Sequence, residues 1–204
     1  MGSVDNDDLD VESAATEGLV PLRTGWSIYL HKQDPATPVE DYDKMIKKVL
    51  SVYTVQSFWD VWENILPQPS EMGFKCSVHI MRAGVRPMWE DAENALGGMW
   101  TFRITKDQTD LVWRRLVCGM IGEQFVRHVT DGDDIMGASL NIRQPNNSIN
   151  IWTRKFEDSK GFMTIIRTKI LNETDHAPKD IHFKPHKTEF TIDGDNLTYQ
   201  FHDY

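Results

Sequence analysis

The sequence predicts a single α+β domain in which helices cover one face of an antiparallel β-sheet. Stretches that alternate between apolar and polar residues are interspersed with stretches at helical spacing, and no internal repeat or change of composition divides the chain. A chain of 204 residues is long enough to bury one core without disulfides or metal ions. Antiparallel strand groups separated by helices favour a sheet covered on one face.

The first 18 residues form an acidic segment that carries six Asp or Glu residues and no Lys or Arg. Because it also lacks periodic apolar residues, we expect residues 1–18 to be a disordered tail and residues 19–204 to be the single domain. The formal net charge is −9, so an anionic ligand requires a local basic patch. No apolar run is long enough to span a membrane and no secretory signal is visible, so we expect a soluble intracellular protein without membrane attachment.

Five stretches alternate as strands with one buried face do, namely residues 26–31, 75–81, 100–105, 139–143 and 148–153. Residues 54–66 place apolar side chains at helical spacing after the polar start Thr54, and Pro67 ends this predicted helix. A second helix is predicted at residues 107–127, with Leu111, Leu116, Met120 and Ile121 on its apolar side, and a third at residues 159–171. For residues 180–204 the sequence allows two predictions, a strand pair or a loop.

The most informative motif is a Pro-bounded loop that carries Trp89 and Glu90 side by side and leads to Gly97-Gly98. An indole offers a stacking plane, and a carboxylate accepts the ring N1–H and the exocyclic amine of guanine together. Methylation at N7 makes guanine a cation, which strengthens stacking between two aromatic rings. Taken alone, the pair is more typical of a loop Trp packed on the sheet beside a solvated acid.

Several motifs in order resemble those of the translation initiation factor 4E family, which binds the 7-methylguanosine cap of messenger RNA. The resemblance covers residues 19–171. It implies a curved antiparallel sheet with about three helices on its convex face and the cap on the concave face, without a cofactor. The matching segments are Val20-Pro-Leu, Trp26, Thr54-Val-Gln-Ser-Phe-Trp59, Pro87-Met-Trp-Glu-Asp91, Gly97-Gly98, Ile121-Gly-Glu123, Asn141-Ile-Arg143 and Ile151-Trp152.

By this resemblance Trp89 is one stacking plane and Glu90 accepts from the guanine. Arg143 matches the basic residue that binds the phosphates, and Trp152 matches the Trp that lies against the methyl group. The second plane falls on Tyr42, because its spacing to the first helix is similar to that in the 4E homologous protein branch, where a Tyr replaces Trp. Tyr53 is the weaker alternative.

The chain departs from the family at three positions that are often basic, where it has Met99, Pro145 and Ser148. Fewer cations predict weaker phosphate binding and a shallower dependence of affinity on salt. Other cations near the last predicted strand and the third helix are candidate replacements. They are Arg154, Lys155 and Arg167.

The resemblance also implies a groove on the helical side for a partner helix with a Tyr-x4-Leu-Φ core, supplied by a scaffold or repressor protein. The residues that match the groove are Val20, Pro21, Val55, Trp59 and Gly122. An exposed Trp59 is the expected anchor. Arg114 and Arg115 stand where an apolar residue and an acid are usual, so we expect a different or more acidic partner.

Ordinary burial predicts that four tryptophans belong to the core, namely Trp26, Trp62, Trp100 and Trp113. The histidines 176, 182 and 186 show no metal-ligand spacing, and no metal site is predicted. The pairs Glu90-Asp91 and Asp133-Asp134 leave open a metal-dependent cap or nucleotide hydrolase, but no nucleophile or base accompanies them. The sequence therefore predicts a cap-binding protein of the cytoplasm, with the nucleus as a second location, that is not an enzyme. It acts in translation initiation or as a cap-occupying repressor.

Overall fold

A computed structural model describes residues 18–33, 42–126, 128, 133–155, 164, 166–171, 181–186, 189–193 and 196–200, the backbone alone being described at 42, 169, 189–193 and 196–200. The strands are β1 (Pro21–Lys32), β2 (Ile46–Thr54), β3 (Cys76–Arg82), β4 (Gly98–Ile104), β5 (Ile135–Asn141), β6 (Asn147–Thr153), β7 (Ile181–Pro185), β8 (Glu189–Asp193) and β9 (Asn196–Gln200). The helices are α1 (Tyr42–Met45), α2 (Val55–Asn64) and α3 (Lys106–Ile121), with a 3₁₀ turn at Pro69–Glu71 and a π-helical turn at Ile166–Ile170.

Seven strands form one curved antiparallel sheet in the order β2-β1-β3-β5-β6-β4-β7, and β8 pairs separately with β9. Every neighbouring pair in the large sheet is antiparallel. The predicted α+β class and the curved sheet with helices on one face are therefore confirmed.

Alternate side chains of the strands pack with α2 and α3 into the main core, on what we call the helix face of the sheet. Residues such as Ile80, Phe102 and Ile151 are fully buried there. Burial of this apolar surface is the main contribution to stability. The four tryptophans predicted to be core, Trp26, Trp62, Trp100 and Trp113, all lie in this cluster, which confirms that prediction.

The helix α2 begins at the predicted position, because Thr54 caps it in a reciprocal pair of hydrogen bonds with Ser57. The helix α3 ends at Ile121 rather than at residue 127: Gly122 is its C-cap and Glu123 has a left-handed φ of 53°. Leu111 is 40% exposed, so its assignment to the apolar side of α3 was wrong. No helix in the described ranges is long and apolar enough to cross a membrane.

The strand predicted at residues 139–143 is β5, which begins earlier, at Ile135, and ends at Asn141. Two strands were not predicted. The first is β2, in which a bulge opposite the Ile28/Tyr29 step breaks the alternation of apolar residues. The second is β7, which pairs with β4, and beyond it β8 and β9 form a strand pair. Residues 1–17 of the predicted tail lie outside the described residues. Within the third predicted helix, the structure describes residue 164, the π-helical turn and Leu171.

Candidate functional site

The face of the sheet opposite the helices, which we call the open face, carries a cavity of about 530 Å³. Strand alternation explains its position, since His79 points away from the core while its neighbours Val78 and Ile80 point into it. The cavity is lined by Asp43, His79, Pro87, Met88, Trp89, Glu90, Met99, Ser139, Asn141, Asn150 and Trp152.

One wall is the loop between β3 and β4, which its own polar groups hold in shape. The buried Asn94 side chain donates from Nδ2 to the carbonyl oxygens of Arg86 and Met88, each at 2.8 Å. Asp91 accepts the backbone N–H of Arg86 at 2.9 Å. The loop therefore presents Trp89, which is 50% exposed, on a fixed backbone.

Glu90 follows Trp89 on this loop, is exposed and lines the cavity. Its carboxylate makes no hydrogen bond or ion pair with the residues that the structure describes. Glu90 and Asp43 are the two acids of the cavity wall, and the described lining contains no Lys or Arg. The walls therefore favour a cationic group over an anionic one.

The opposite wall is the indole of Trp152, which is 6% exposed. Its Nε1–H donates to Ser139 Oγ at 2.9 Å, and Ser139 Oγ lies 2.7 Å from His79 Nδ1. The hydroxyl oxygen has two lone pairs, so besides accepting from the indole it either donates to His79 Nδ1 or accepts from it, according to the tautomer of the imidazole. The ring of His186 packs against Trp152, with centroids 5.0 Å apart.

Burial strongly favours the neutral form of His79, with nearby His31 and Arg143 acting in the same direction, and lowers its pKa to about 3. His31 and His186 also have pKa values lowered from the ordinary value, mainly by burial. The floor of the cavity therefore carries neutral imidazole at physiological pH.

The two glycines that follow the loop allow the backbone to approach its neighbours closely. A Cβ on Gly97 would lie 1.8 Å from the carbonyl oxygen of Thr153. A Cβ on Gly98 would overlap the ring of Phe183, which packs edge-on against Trp100 at 5.1 Å. These close contacts bring the start of β4 against β6 at Gly97 and against β7 at Gly98.

Of the five residues predicted to bind the cap, the structure brings Trp89, Glu90 and Trp152 to one cavity. Tyr42 begins α1 next to the cavity-lining Asp43, and its side chain lies outside the described residues. Arg143 does not line the cavity; its Nη1 donates to the carbonyl oxygen of Ile142 at 3.0 Å.

Five polar or charged residues of the cavity were not predicted as site residues: Asp43, His79, Ser139, Asn141 and Asn150. Asn141 belongs to a segment that matches the family, and Asp43 directly follows Tyr42. The other three show in the sequence only as polar residues within strands. The candidate replacement cations do not line the cavity: Arg154 pairs with Glu93 at 2.9 Å, and Lys155 and Arg167 are exposed elsewhere.

A family model for eukaryotic initiation factor 4E matches residues 21–198. The chain belongs to this family. It is 32% identical over 148 residues to the wheat eukaryotic translation initiation factor NCBP, an alignment that covers 72% of this chain and 62% of the wheat protein. The chain thus spans less than two thirds of that relative's length.

Two solved structures of family members have the same fold. One is the complex of C. elegans eIF4E-3 with the 4E-binding protein Mextli and cap analog, with a TM-score of 0.71 and 26% identity over 82% of this chain and 93% of that chain. The other is Ascaris suum eIF4E-3 with m2,2,7G cap, with a TM-score of 0.70 and 27% identity over 88% of this chain and 98% of that chain.

The groove residues that the 4E family resemblance assigns to a partner lie where β1 meets α2 and α3 ends. Val20 is 54% exposed and accepts the backbone N–H of Val55 at 2.8 Å, while Gly122 is exposed at the end of α3. Pro21 is exposed, but Trp59 is half-buried against the core rather than fully exposed.

In this 4E family chain, the described residues contain no group of three or more His, Cys, Asp or Glu side chains arranged to hold a metal ion. The acids of the Asp133-Asp134 pair, which the sequence left open for such a site, have other partners. Asp134 pairs with Arg82 at 2.9 Å, and Asp133 accepts the backbone N–H of Lys155 at 2.8 Å.

Proposed function

We propose that the cavity binds the 7-methylguanosine 5′ cap of messenger RNA. Trp89 stacks on the methylated base, Glu90 accepts its N1–H and amine, and Trp152 lies against the methyl group. The observation that carries the proposal is that these three side chains line one cavity in a 4E family member. The acids Glu90 and Asp43 add a preference for the cationic methylated base over GTP.

Tyr42 supplies the second stacking plane. Support comes from its position at the start of α1, directly before Asp43, which lines the cavity. Arg143 binds the far end of the phosphate chain. Support comes from its position just after β5, whose last residue, Asn141, lines the cavity.

The base-binding roles are tested by calorimetric titration of the full chain with 7-methyl-GTP. Glu90→Gln removes the charged acceptor and should weaken binding about tenfold or more. Tyr42→Ala should weaken it by a similar factor because one stacking plane is lost, whereas Tyr42→Phe should bind like the wild type, within about twofold.

Glu63→Gln is the matched control, since Glu63 is an exposed acid on α2, away from the cavity. If Glu90→Gln binds 7-methyl-GTP as tightly as Glu63→Gln does, Glu90 does not read the base. Equal loss in Tyr42→Phe and Tyr42→Ala would argue against stacking by Tyr42.

We also propose that a scaffold or repressor protein docks on the helical side through a Tyr-x4-Leu-Φ helix. The exposed Val20, Pro21 and Gly122, with the half-buried Val55 and Trp59, form its apolar contact. Arg115 and the exposed Arg114 on α3 favour an acidic flank on the partner helix. A peptide with an acidic flank should bind the wild type more tightly than a peptide with a basic flank, and Arg115→Glu should reverse this preference. Trp59→Ala should abolish binding of both peptides.

The role that follows is cap-dependent translation initiation or its regulation in the cytoplasm, by a binding protein rather than an enzyme. The reversed charge at Arg115 favours the repressor type of the 4E homologous protein, because it disfavours a basic scaffold motif. Capture of repressor rather than scaffold proteins would support this role. Metal-dependent release of 7-methyl-GDP or 7-methyl-GMP from capped RNA would instead establish a hydrolase.

A further inference from the structure

A row of polar side chains crosses the open face beside Trp152. The strand register places Asn150 of β6 opposite Ser139 of β5 and Thr101 of β4, and Ser139 opposite His79 of β3. We call Asn150, Ser139 and His79 the polar row. Because the side-chain repeat of a strand is two residues, the row lies about 7 Å from Trp152 along β6.

Two nitrogens of the polar row have no partner among the described residues. Asn150 Oδ1 accepts from Ser148 Oγ at 3.3 Å, and Asn150 Nδ2 donates to no described atom. His79 Nδ1 is hydrogen-bonded to Ser139 Oγ, and His79 Nε2 is buried without a hydrogen bond to a described residue. In the tautomer in which Ser139 donates to Nδ1, Nε2 carries the hydrogen, and the cavity floor then offers two N–H donors.

An ionised phosphate fits this floor because its oxygens only accept hydrogen bonds. A ribose hydroxyl would use acceptors as well as donors. Hydrogen bonds from neutral N–H groups to an ionised oxygen are stronger than those between neutral groups. They also satisfy a buried donor such as His79 Nε2, which is costly to leave unpaired.

We propose that Asn150 Nδ2 and His79 Nε2 hold the phosphate chain of the cap by neutral hydrogen bonds, in place of cations on the cavity walls. The inference rests on the proposed cap binding. With Trp152 against the base, the polar row meets the phosphates that follow the ribose, and Arg143 meets the far end of the chain. Discrimination of the base and retention of the phosphates thus belong to separate rows of the sheet.

The experiment titrates the full chain with 7-methyl-GTP and with 7-methylguanosine, which lacks phosphate. Asn150→Asp keeps the size of the side chain and the acceptor for Ser148, but replaces the donor with a charged oxygen. It should weaken 7-methyl-GTP binding about tenfold or more and leave the nucleoside within about twofold of the wild type. Thr101→Val is the control, because Thr101 lies opposite Asn150 on the neighbouring strand β4 but does not line the cavity.

A second measurement follows the ¹⁵N signal of His79 Nε2 in the wild type, which requires no substitution. It should shift on addition of 7-methyl-GTP and stay in place with 7-methylguanosine. Suppose that the wild type binds both ligands. If Asn150→Asp then keeps their affinity ratio, or if the His79 signal does not respond to the phosphates, the polar row does not hold the phosphates and cap binding stands. If neither ligand binds the wild type, cap binding itself is wrong and the inference falls with it.

Discussion

The two faces of the sheet are built from the same strands but are stabilised in different ways. On the helix face, Ile149 and Ile151 of β6 are fully buried against other apolar side chains. On the open face, Asn150 and Trp152 of the same strand line the cavity. One residue along the chain separates a core position from a ligand-binding position.

The helix face therefore depends on shape, and the open face depends on directed polar contacts. Apolar burial is non-directional, so many apolar residues serve equally at a core position. On the open face the polar groups satisfy one another, as in the Trp152–Ser139–His79 chain and the Ser77–Asn141 pair. Loss of one partner leaves a buried polar group unsatisfied.

The largest expected effect compares two leucines of α3. Leu116→Ala removes a fully buried side chain and should lower the free energy of unfolding by about 3 kcal/mol. Leu111→Ala, at a position 40% exposed, should lower it by less than about 1 kcal/mol. Urea denaturation measures both. Equal losses would contradict the assignment of one face of α3 to the core.

The next effect is a dependence of stability on pH that His79 creates on the open face. The folded-state pKa of His79 is about 3, below the unfolded value of about 6.5. The unfolded chain therefore binds more protons between these values, so stability is lost as pH falls below about 6.5. Between pH 7 and pH 5, wild type should lose about 2 kcal/mol more than His79→Gln.

His31 and His186 contribute to acid sensitivity in the same direction, because their pKa values are also lowered. Both histidines are present in the wild type and in His79→Gln, so the difference between the two stability curves reports the effect of His79 alone. Parallel stability curves for wild type and His79→Gln would show that His79 is not held neutral by burial.

A smaller effect is expected where Ser139 links the indole to the imidazole. Ser139→Ala removes the acceptor of the Trp152 indole and the hydrogen-bond partner of His79, and should lower the free energy of unfolding by about 1.5 kcal/mol. Ser51→Ala is the control, since it removes the Ser27–Ser51 hydroxyl pair of the same sheet at a position outside the cavity. The Ser139 variant alone should also weaken 7-methyl-GTP binding; an unchanged affinity would show that Trp152 needs no such support.

The smallest expected effect is the salt dependence of 7-methyl-GTP binding. With neutral donors on the floor and Arg143 alone at the far end, the slope of log affinity against log salt should be no steeper than about −1. A slope of about −2 or steeper would mean that several cations reach the phosphates. Titration between low and moderate salt measures it, with 7-methylguanosine as the uncharged control.

The helix face was largely predictable from sequence because its signals are local. Apolar spacing and the Thr54 cap identified α2, and burial preference identified the core tryptophans. The end of α3 was missed because apolar residues continue to Phe125, although Gly122 is the C-cap and Glu123 after it takes a left-handed conformation. The strand β2 was missed because a bulge interrupts its alternation.

The cavity was predictable only in part, because its floor depends on strand register. The neighbouring Trp89 and Glu90 form a motif that is visible in the sequence, and Trp152 was found by resemblance. His79, Ser139 and Asn150 are ordinary polar positions of three separate strands, and only the pairing of β3, β5 and β6 brings them together. No single segment of the sequence shows the contacts of these three residues, and none shows that Arg143 lies outside the described lining of the cavity.

The central claim is that the open face selects a methylated, cationic guanine. The most direct measurement is tryptophan fluorescence quenching of the wild-type chain by 7-methyl-GTP and, in parallel, by GTP. We expect quenching with an affinity for 7-methyl-GTP at least about tenfold higher than for GTP, since only the methylated base carries the charge that stacking and the two acids favour. Equal affinity for the two nucleotides, or no quenching by either, would contradict it.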